Sequence, residues 1–114
     1  EGGVIEYYSR NGELKKIVTK YYGEGGKSIT EYYVKNNNIY FVYDANYHYN
    51  APFYADETFN KKKTEIKEKR YYFDSDGNLI RYIDENKKII EDKEKLHYIE
   101  KEVRKNIKEV LLKK

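Results

Sequence analysis

Residues Arg70–Asp84 read RYYFDSDGNLIRYID, two runs of strand-forming residues on either side of a cluster of turn residues. Asp74, Ser75 and Asp76 can accept hydrogen bonds from their own backbone. Gly77 can adopt the positive φ that ends a four- or five-residue hairpin loop without the steric cost of a side chain. The stretch therefore predicts a β-hairpin.

Two earlier stretches repeat this order of tyrosine pair, turn and apolar residue. They are EYYSRNGEL at 6–14 and EYYVKNNNIYF at 31–41, and a glycine-rich turn at 23–26 separates them. Alternating strands and turns of this kind predict an antiparallel meander. Because successive side chains of a strand point to opposite faces, each Tyr-Tyr pair sends one ring to each face. We expect Tyr7, Tyr21 and Tyr32 on one face, and Tyr8, Tyr22 and Tyr33 on the other.

After Asp84 the period of the apolar residues changes to that of an α-helix. The stripe consists of Leu96, Ile99, Val103, Ile107, Val110 and Leu111. Charged residues surround it, and Asp92 is placed to cap the helix N-terminus. The sequence predicts an α+β single domain over 1–114: a meander of about six antiparallel strands at 3–84, and one C-terminal amphipathic helix at about 91–112 packed on one face. Ile89 and Ile90 are expected to form an irregular link, with a short seventh strand or a first helical turn as the alternatives.

Composition excludes several classes of site. The chain has no cysteine, which rules out disulfides, thiolate metal ligands and cysteine nucleophiles. It has 15 tyrosines and a net charge of +3, and its apolar runs are far shorter than a membrane-spanning helix needs. It starts at Glu1 and contains no methionine, as a chain does either after removal of a leader or after trimming of its ends. From the first of these explanations we expect a periplasmic, secreted or lipoprotein-anchored protein.

Residues 45–60, ANYHYNAPFYADETFN, fit neither a helical nor a strand period over their whole length. We expect a long aromatic loop here, and long loops in compact domains often carry function. Its rings can equally cover an edge of the core, which is the structural alternative. Together with the tyrosines opposite the helix, the loop supplies the candidate binding residues: Tyr47, His48, Tyr49, Phe53, Tyr54, Tyr8, Tyr33 and Tyr72.

Catalytic and metal motifs are poorly supported. His97 lies beside the apolar stripe, and His48 has no partnered nucleophile motif near it. No serine stands in a Gly-x-Ser-x-Gly elbow. Asp74, Asp76 and Asn78 alternate like calcium ligands, but Gly77 comes too early for an EF-hand loop, so turn chemistry explains them better. We predict no catalytic residue, no metal ligand and no cofactor.

The sequence therefore favours a non-catalytic binding module that contacts a protein, a peptide or a carbohydrate through tyrosines. One alternative is an anionic-surface or nucleic-acid binder, using the basic strand at 61–70 and the lysines of the helix. The interleaving of acids with these bases argues against it. A second alternative is a hydrolase that uses His48 with Asp44 or Asp56.

The recurring phrase, Tyr7-Tyr8 to Gly12-Glu13-Leu14 and Tyr71-Tyr72 to Gly77-Asn78-Leu79, resembles the hairpin unit of MORN-type repeat proteins. This resemblance implies a β-meander used as a binding or scaffolding surface, without catalysis. The chain is also similar to small exported or lipoprotein-borne bacterial β-sheet domains, which mostly have no assigned activity. Neither likeness supplies a site residue.

Overall fold

A computed structural model describes residues 2–50 and 64–114, which form one antiparallel sheet and one helix. The elements are β1 (Gly2–Arg10), β2 (Glu13–Gly23), β3 (Gly26–Lys35), β4 (Asn38–His48), β5 (Glu65–Phe73), β6 (Leu79–Ile83), β7 (Ile89–Ile90) and α1 (Lys93–Leu112). Each strand pairs with the next one in the chain, so the sheet is a meander. The predicted α+β class is confirmed, with seven strands instead of about six.

The β1–β2 and β3–β4 hairpins close through tight turns that the sequence predicts. Asn11 and Gly12 have φ values of 53° and 79°, the left-handed pair that a two-residue hairpin loop requires. Asn36 and Asn37 do the same between β3 and β4, at 50° and 64°. Asparagine tolerates this conformation better than most residues with a side chain, so local chemistry sets the register of both hairpins.

The turns after β5 and β6 share one design. Asp74 accepts hydrogen bonds from the backbone amides of Asp76 and Asn78 at 3.0 and 2.9 Å. Asp84 accepts from Asn86 and Lys88 in the same way, both at 2.9 Å. The second turn leads into β7, because Ile89 pairs with Ile83 and Ile90 with Tyr82. The expected irregular link at 89–90 is therefore wrong: these residues form a short seventh strand.

The predicted loop also begins too early. Ala45, Asn46, Tyr47 and His48 continue β4, where they pair with β3 on one side and with β5 on the other. Ala45 is 1% exposed. The expectation that the strand ends at Asp44 is wrong, because pairing on both sides supports residues whose own sequence has no strand period. The rest of the predicted loop, from position 51, lies outside the described residues.

Helix α1 covers one face of the sheet, which we call the helix face. Register places one residue from each strand in a central row of this face: Tyr7, Ile17, Tyr32, Val42, Tyr71, Tyr82 and Ile90. Leu96, Val103 and Val110 pack against this row and are each 4% exposed. The predicted stripe is confirmed at these positions, whereas Leu111, 41% exposed, lies outside the core.

Polar contacts fix α1 at several points along its length. The side chain of Asp92 accepts a hydrogen bond from the Lys95 amide at 3.0 Å, which confirms the predicted N-cap. Glu100 accepts from the Leu79 amide of β6 at 2.8 Å. The Tyr7 hydroxyl of β1 donates to the Val110 carbonyl at 2.6 Å. The helix is thus bonded to strands near both edges of the sheet.

Candidate binding surface

The face opposite α1, which we call the outer face, carries a row of side chains across six strands. In strand order the row contains Tyr8, Lys16, Tyr33, Phe41, Tyr72 and Arg81, each paired in register with the next. Five strand spacings of about 4.8 Å make the row roughly 24 Å long. The second tyrosines of three predicted pairs, Tyr8, Tyr33 and Tyr72, therefore contribute to one continuous surface, which we call the outer-face row. Tyr22 pairs with Gly2 and Lys27 instead and lies outside this row.

Three hairpins build this row in the same way. In each, the register shifts immediately after the second tyrosine: after Tyr8 in β1–β2, after Tyr33 in β3–β4 and after Tyr72 in β5–β6. Each shift is a β-bulge that adds one unpaired residue to the returning strand. The bulges therefore recur at equivalent positions and leave Lys16, Phe41 and Arg81 opposite the three tyrosines.

The rings at the centre of the row are in contact. The Phe41 ring lies 5.7 Å from Tyr33 and 4.9 Å from Tyr72 between centroids, with interplanar angles of 41° and 50°. Lysine and arginine stand over the neighbouring rings: the Lys16 ammonium is 5.3 Å from the Tyr33 centroid, and the Arg81 guanidinium is 5.7 Å from that of Tyr72. These are distances at which aromatic pairs and cation–π pairs attract.

Carboxylates hold two of the tyrosine hydroxyls. Tyr8 donates to Glu6 at 3.2 Å, and Tyr33 donates to Glu31 at 2.5 Å, each across two residues of its own strand. The bond to Glu31, followed by burial, raises the pKa of Tyr33 to about 12. The Tyr33 phenol therefore stays neutral near pH 7, and the two hydrogen bonds hold both rings in place.

The bulges add exposed apolar area that sequence reasoning missed. Tyr40 and Ile80 are the extra residues of the second and third bulges, and they are 45% and 51% exposed. The Tyr40 ring lies 6.5 Å from Tyr33 and so widens the aromatic surface beside the row.

The other candidate residues do not join the row. Tyr47 is on the outer face near the far end of β4, where the Lys27 ammonium lies 4.8 Å from its ring centroid. His48 ends the strand and is exposed, and the Tyr49 amide donates to the Gly25 carbonyl. Phe53 and Tyr54 lie outside the described residues. The structure thus brings together Tyr8, Tyr33 and Tyr72, and separates Tyr47, His48 and Tyr49 from them.

The basic strand of the anionic-surface alternative, β5, carries its cations beside carboxylates. Along β5, Lys67 lies 3.9 Å from Glu65, Lys69 lies 3.8 Å from Glu85, and Arg70 lies 3.5 Å from Glu68. Each of these cations already has a carboxylate beside it, which reduces what an anionic partner would gain. Lys61, Lys62 and Lys63 lie outside the described residues.

His48 and Asp44 point to the same face of β4 but are four residues apart, about 13 Å at the rise of a strand. Asp44 is instead hydrogen-bonded to Thr30 and Asn46. The second proposed partner, Asp56, lies outside the described residues. The described part of the chain thus contains no His48–Asp44 pair of the kind that a hydrolase needs.

Comparison with protein families, with curated proteins and with solved structures found no match to this chain. Within residues 2–50 and 64–114, no helix has the length and apolar character to cross a membrane. The same residues contain no group of three or more His, Cys, Asp or Glu placed to hold a metal ion. The likeness to MORN-type repeats stays a prediction.

Proposed function

We propose that this protein is a non-catalytic binding module whose contact surface is the outer-face row. The ligand is an extended protein segment, a peptide or a carbohydrate chain. The observation that carries the proposal is the continuity of the row: three tyrosines and one phenylalanine from four strands, with Lys16 between Tyr8 and Tyr33 and Arg81 at the end of the row. Tyr8 is 47% exposed, and Tyr33, Phe41 and Tyr72 are half-buried. Isolated exposed aromatics are ordinary on protein surfaces, but a contiguous patch of partly exposed ones is typical of a contact site.

The properties of the rings support this role. Tyrosine offers a large contact area with little entropy to lose, and the contacts within the row restrict its rings further. The cations and the carboxylates at Glu6 and Glu31 add polar groups at the rim of the rings. An apolar stacking surface with a polar rim suits a sugar chain or an extended peptide, both of which alternate apolar and hydrogen-bonding groups.

The structural alternative is that the row only stabilises the sheet. Cross-strand aromatic pairs contribute about 0.2–1 kcal/mol each without any ligand. Export from the cytoplasm is part of the proposal. An experiment must therefore separate loss of binding from loss of stability.

The experiment uses a panel of soluble polysaccharides and proline-rich peptides, with tyrosine fluorescence as the readout, because the chain has no tryptophan. For a ligand that binds, Tyr72→Ala is expected to weaken affinity about 30-fold, the loss of roughly 2 kcal/mol typical of a central aromatic contact. The matched control is Tyr98→Ala, which removes a tyrosine that is 72% exposed on α1 and far from the row.

Thermal denaturation of both variants accompanies the titrations. The proposal is contradicted if Tyr98→Ala weakens binding as much as Tyr72→Ala does. It is also contradicted if Tyr72→Ala lowers the midpoint of unfolding strongly while the folded variant binds with unchanged affinity. In the second case the row serves the stability of the sheet alone.

A further inference from the structure

A cavity lies on the helix face, between strands β1 to β4 and the last turns of α1. Its volume is about 230 Å³, and its walls include the rings of Tyr21 and Tyr32 and, from the helix, Asn106 and Glu109. It is on the opposite side of the sheet from the outer-face row. It is too small for a drug-sized ligand but large enough for a small organic molecule.

The floor of the cavity is a chain of hydrogen bonds between β3 and β4. Ser28 donates to Asn46 at 2.5 Å, and the Asn46 amide donates to Asp44 at 3.0 Å. Thr30 donates to the other carboxylate oxygen of Asp44 at 2.8 Å. This network holds the carboxylate in one orientation within a partly buried environment.

Two further hydroxyls line the cavity without a hydrogen-bond partner among the described residues. Thr19 and Tyr32 are each 3% exposed. Within the described residues, no side-chain oxygen or nitrogen is both fully enclosed and unpaired. These two hydroxyls must therefore reach the cavity space, because buried polar groups are almost always paired with protein, water or ligand.

The charge of the cavity is negative. Asp44 and Glu109 line it, and no lysine, arginine or histidine of the described residues does so. Glu109 is paired with Lys113 at 3.0 Å, so the uncompensated charge is that of Asp44. Lys69, the register partner of Asp44 on β5, lies beside Glu85 at 3.8 Å. Burial, followed by the charges of Asp44 and Glu109, raises the pKa of Tyr32. The half-buried carboxylate of Asp44 is in no ion pair within the described residues, and a bound cation would offset the cost of burying its charge.

From this geometry we infer that the cavity binds a small primary ammonium ligand. An ammonium group has three N–H donors. Asp44, Thr19 and Tyr32 offer it a carboxylate and two hydroxyl oxygens as acceptors, while the aromatic walls attract its positive charge and cover its alkyl portion. The inference does not depend on the outer-face row.

The test is an ¹⁵N–¹H NMR titration with n-butylammonium chloride at constant ionic strength, with 1-butanol as the neutral probe of similar shape. The ammonium is expected to give saturable shifts centred on the amides of Thr19, Thr30 and Asp44, and the alcohol to bind at least tenfold more weakly. Asp44→Asn, which keeps an acceptor for Thr30 but removes the charge, is expected to weaken ammonium binding at least tenfold.

Glu13→Gln is the matched control, because it removes one negative charge at the β1–β2 turn, where Glu13 is 68% exposed. The affinity of this variant for n-butylammonium is expected to stay within twofold of that of the unaltered protein. Equal affinity for the alcohol, unchanged affinity of Asp44→Asn, or no saturable shift at tens of millimolar overturns the inference, since a cavity filled by water alone gives these results. If Asp44→Asn loses the folded spectrum, Tyr32→Phe decides: severalfold weaker binding supports the inference, and unchanged affinity overturns it.

Discussion

Replacement of the Tyr7 hydroxyl tests how the helix is held on the sheet. This hydroxyl donates to the Val110 carbonyl at 2.6 Å, across 103 residues of sequence. Val110 is in the last turn of α1, where carbonyls lose their intrahelical donors. The Lys114 amide, which would continue the helical pattern to Val110, donates instead to Leu111 at 3.4 Å. Tyr7 thus supplies the donor that the helix end lacks.

The expected cost of Tyr7→Phe follows from that geometry. The substitution keeps the ring, which packs against the core, and removes one partly buried hydrogen bond. A net hydrogen bond contributes about 0.5–1.5 kcal/mol, and a buried carbonyl left unpaired costs more. Because Val110 is 4% exposed, we expect the free energy of unfolding to fall by about 1.5 kcal/mol, the upper end of the range for a net hydrogen bond. A loss of this size lowers the midpoint of thermal unfolding by about 6 °C in a domain of this size.

The neighbouring tyrosine provides the control. Tyr8 is 47% exposed on the outer face, and its hydroxyl donates to Glu6 at 3.2 Å. Tyr8→Phe is expected to change stability by less than about 0.5 kcal/mol, because an exposed hydrogen bond is exchanged for one with water. Urea denaturation gives both free energies of unfolding, and hydrogen exchange at 109–114 reports the helix end. Equal losses for the two variants would refute the assignment of the two rings to opposite faces.

Two further predictions concern glycine and aspartate in the turns. A Cβ on Gly26 would lie 1.9 Å from the Tyr47 carbonyl oxygen, whereas a Cβ on Gly25 would have no atom within 4 Å. Gly26→Ala should therefore lower the free energy of unfolding by about 2 kcal/mol or more, and Gly25→Ala by less than about 0.5 kcal/mol, as measured by thermal denaturation. Equal costs would contradict the close approach of β3 to β4. The amides of Asn78 and Asp76 lower the pKa of Asp74 from its ordinary 3.8, so its carboxylate stabilises the fold above that value and loses this contribution as the pH falls through the lowered pKa. The stability difference between the unaltered protein and Asp74→Asn should be largest near neutral pH and shrink below about pH 4, and a pH-independent difference would contradict this linkage.

The sequence predicts what local chemistry decides. Asn-Gly and Asp-rich turns, the change of apolar period after Asp84 and the cap at Asp92 each act within a few residues, and the structure confirms them. The wrong predictions concern residues whose own sequence has no strand pattern but which pair with a neighbouring strand. β4 continues through Ala45 because β3 and β5 pair with it on both sides, and Ile89-Ile90 become β7 because β6 offers a free edge after a second Asp turn.

The candidate sites show the same division. Period-two alternation predicts that Tyr8, Tyr33 and Tyr72 share a face, but it does not predict which side chains lie between them, since that depends on register. The cavity around Asp44 cannot be predicted from the sequence, because one of its walls comes from Asn106 and Glu109, more than 60 residues further along the chain. Nothing in the local sequence of β4 indicates that a helix end will lie above it.

The bulges that complete the outer-face row do leave a signal in the sequence. The helix face takes two residues from each returning strand, separated by three positions: Leu14 and Ile17, Ile39 and Val42, Leu79 and Tyr82. A regular strand alternates with a period of two, so residues three apart point to opposite faces. Both can face the helix only if an extra residue is inserted between them, which is what a bulge does. The same insertion turns the two intervening residues, such as Tyr40 and Phe41, toward the outer face. The apolar spacing that fills the core thereby also determines the composition of the row, so that a substitution shifting this spacing would alter both faces of the sheet together.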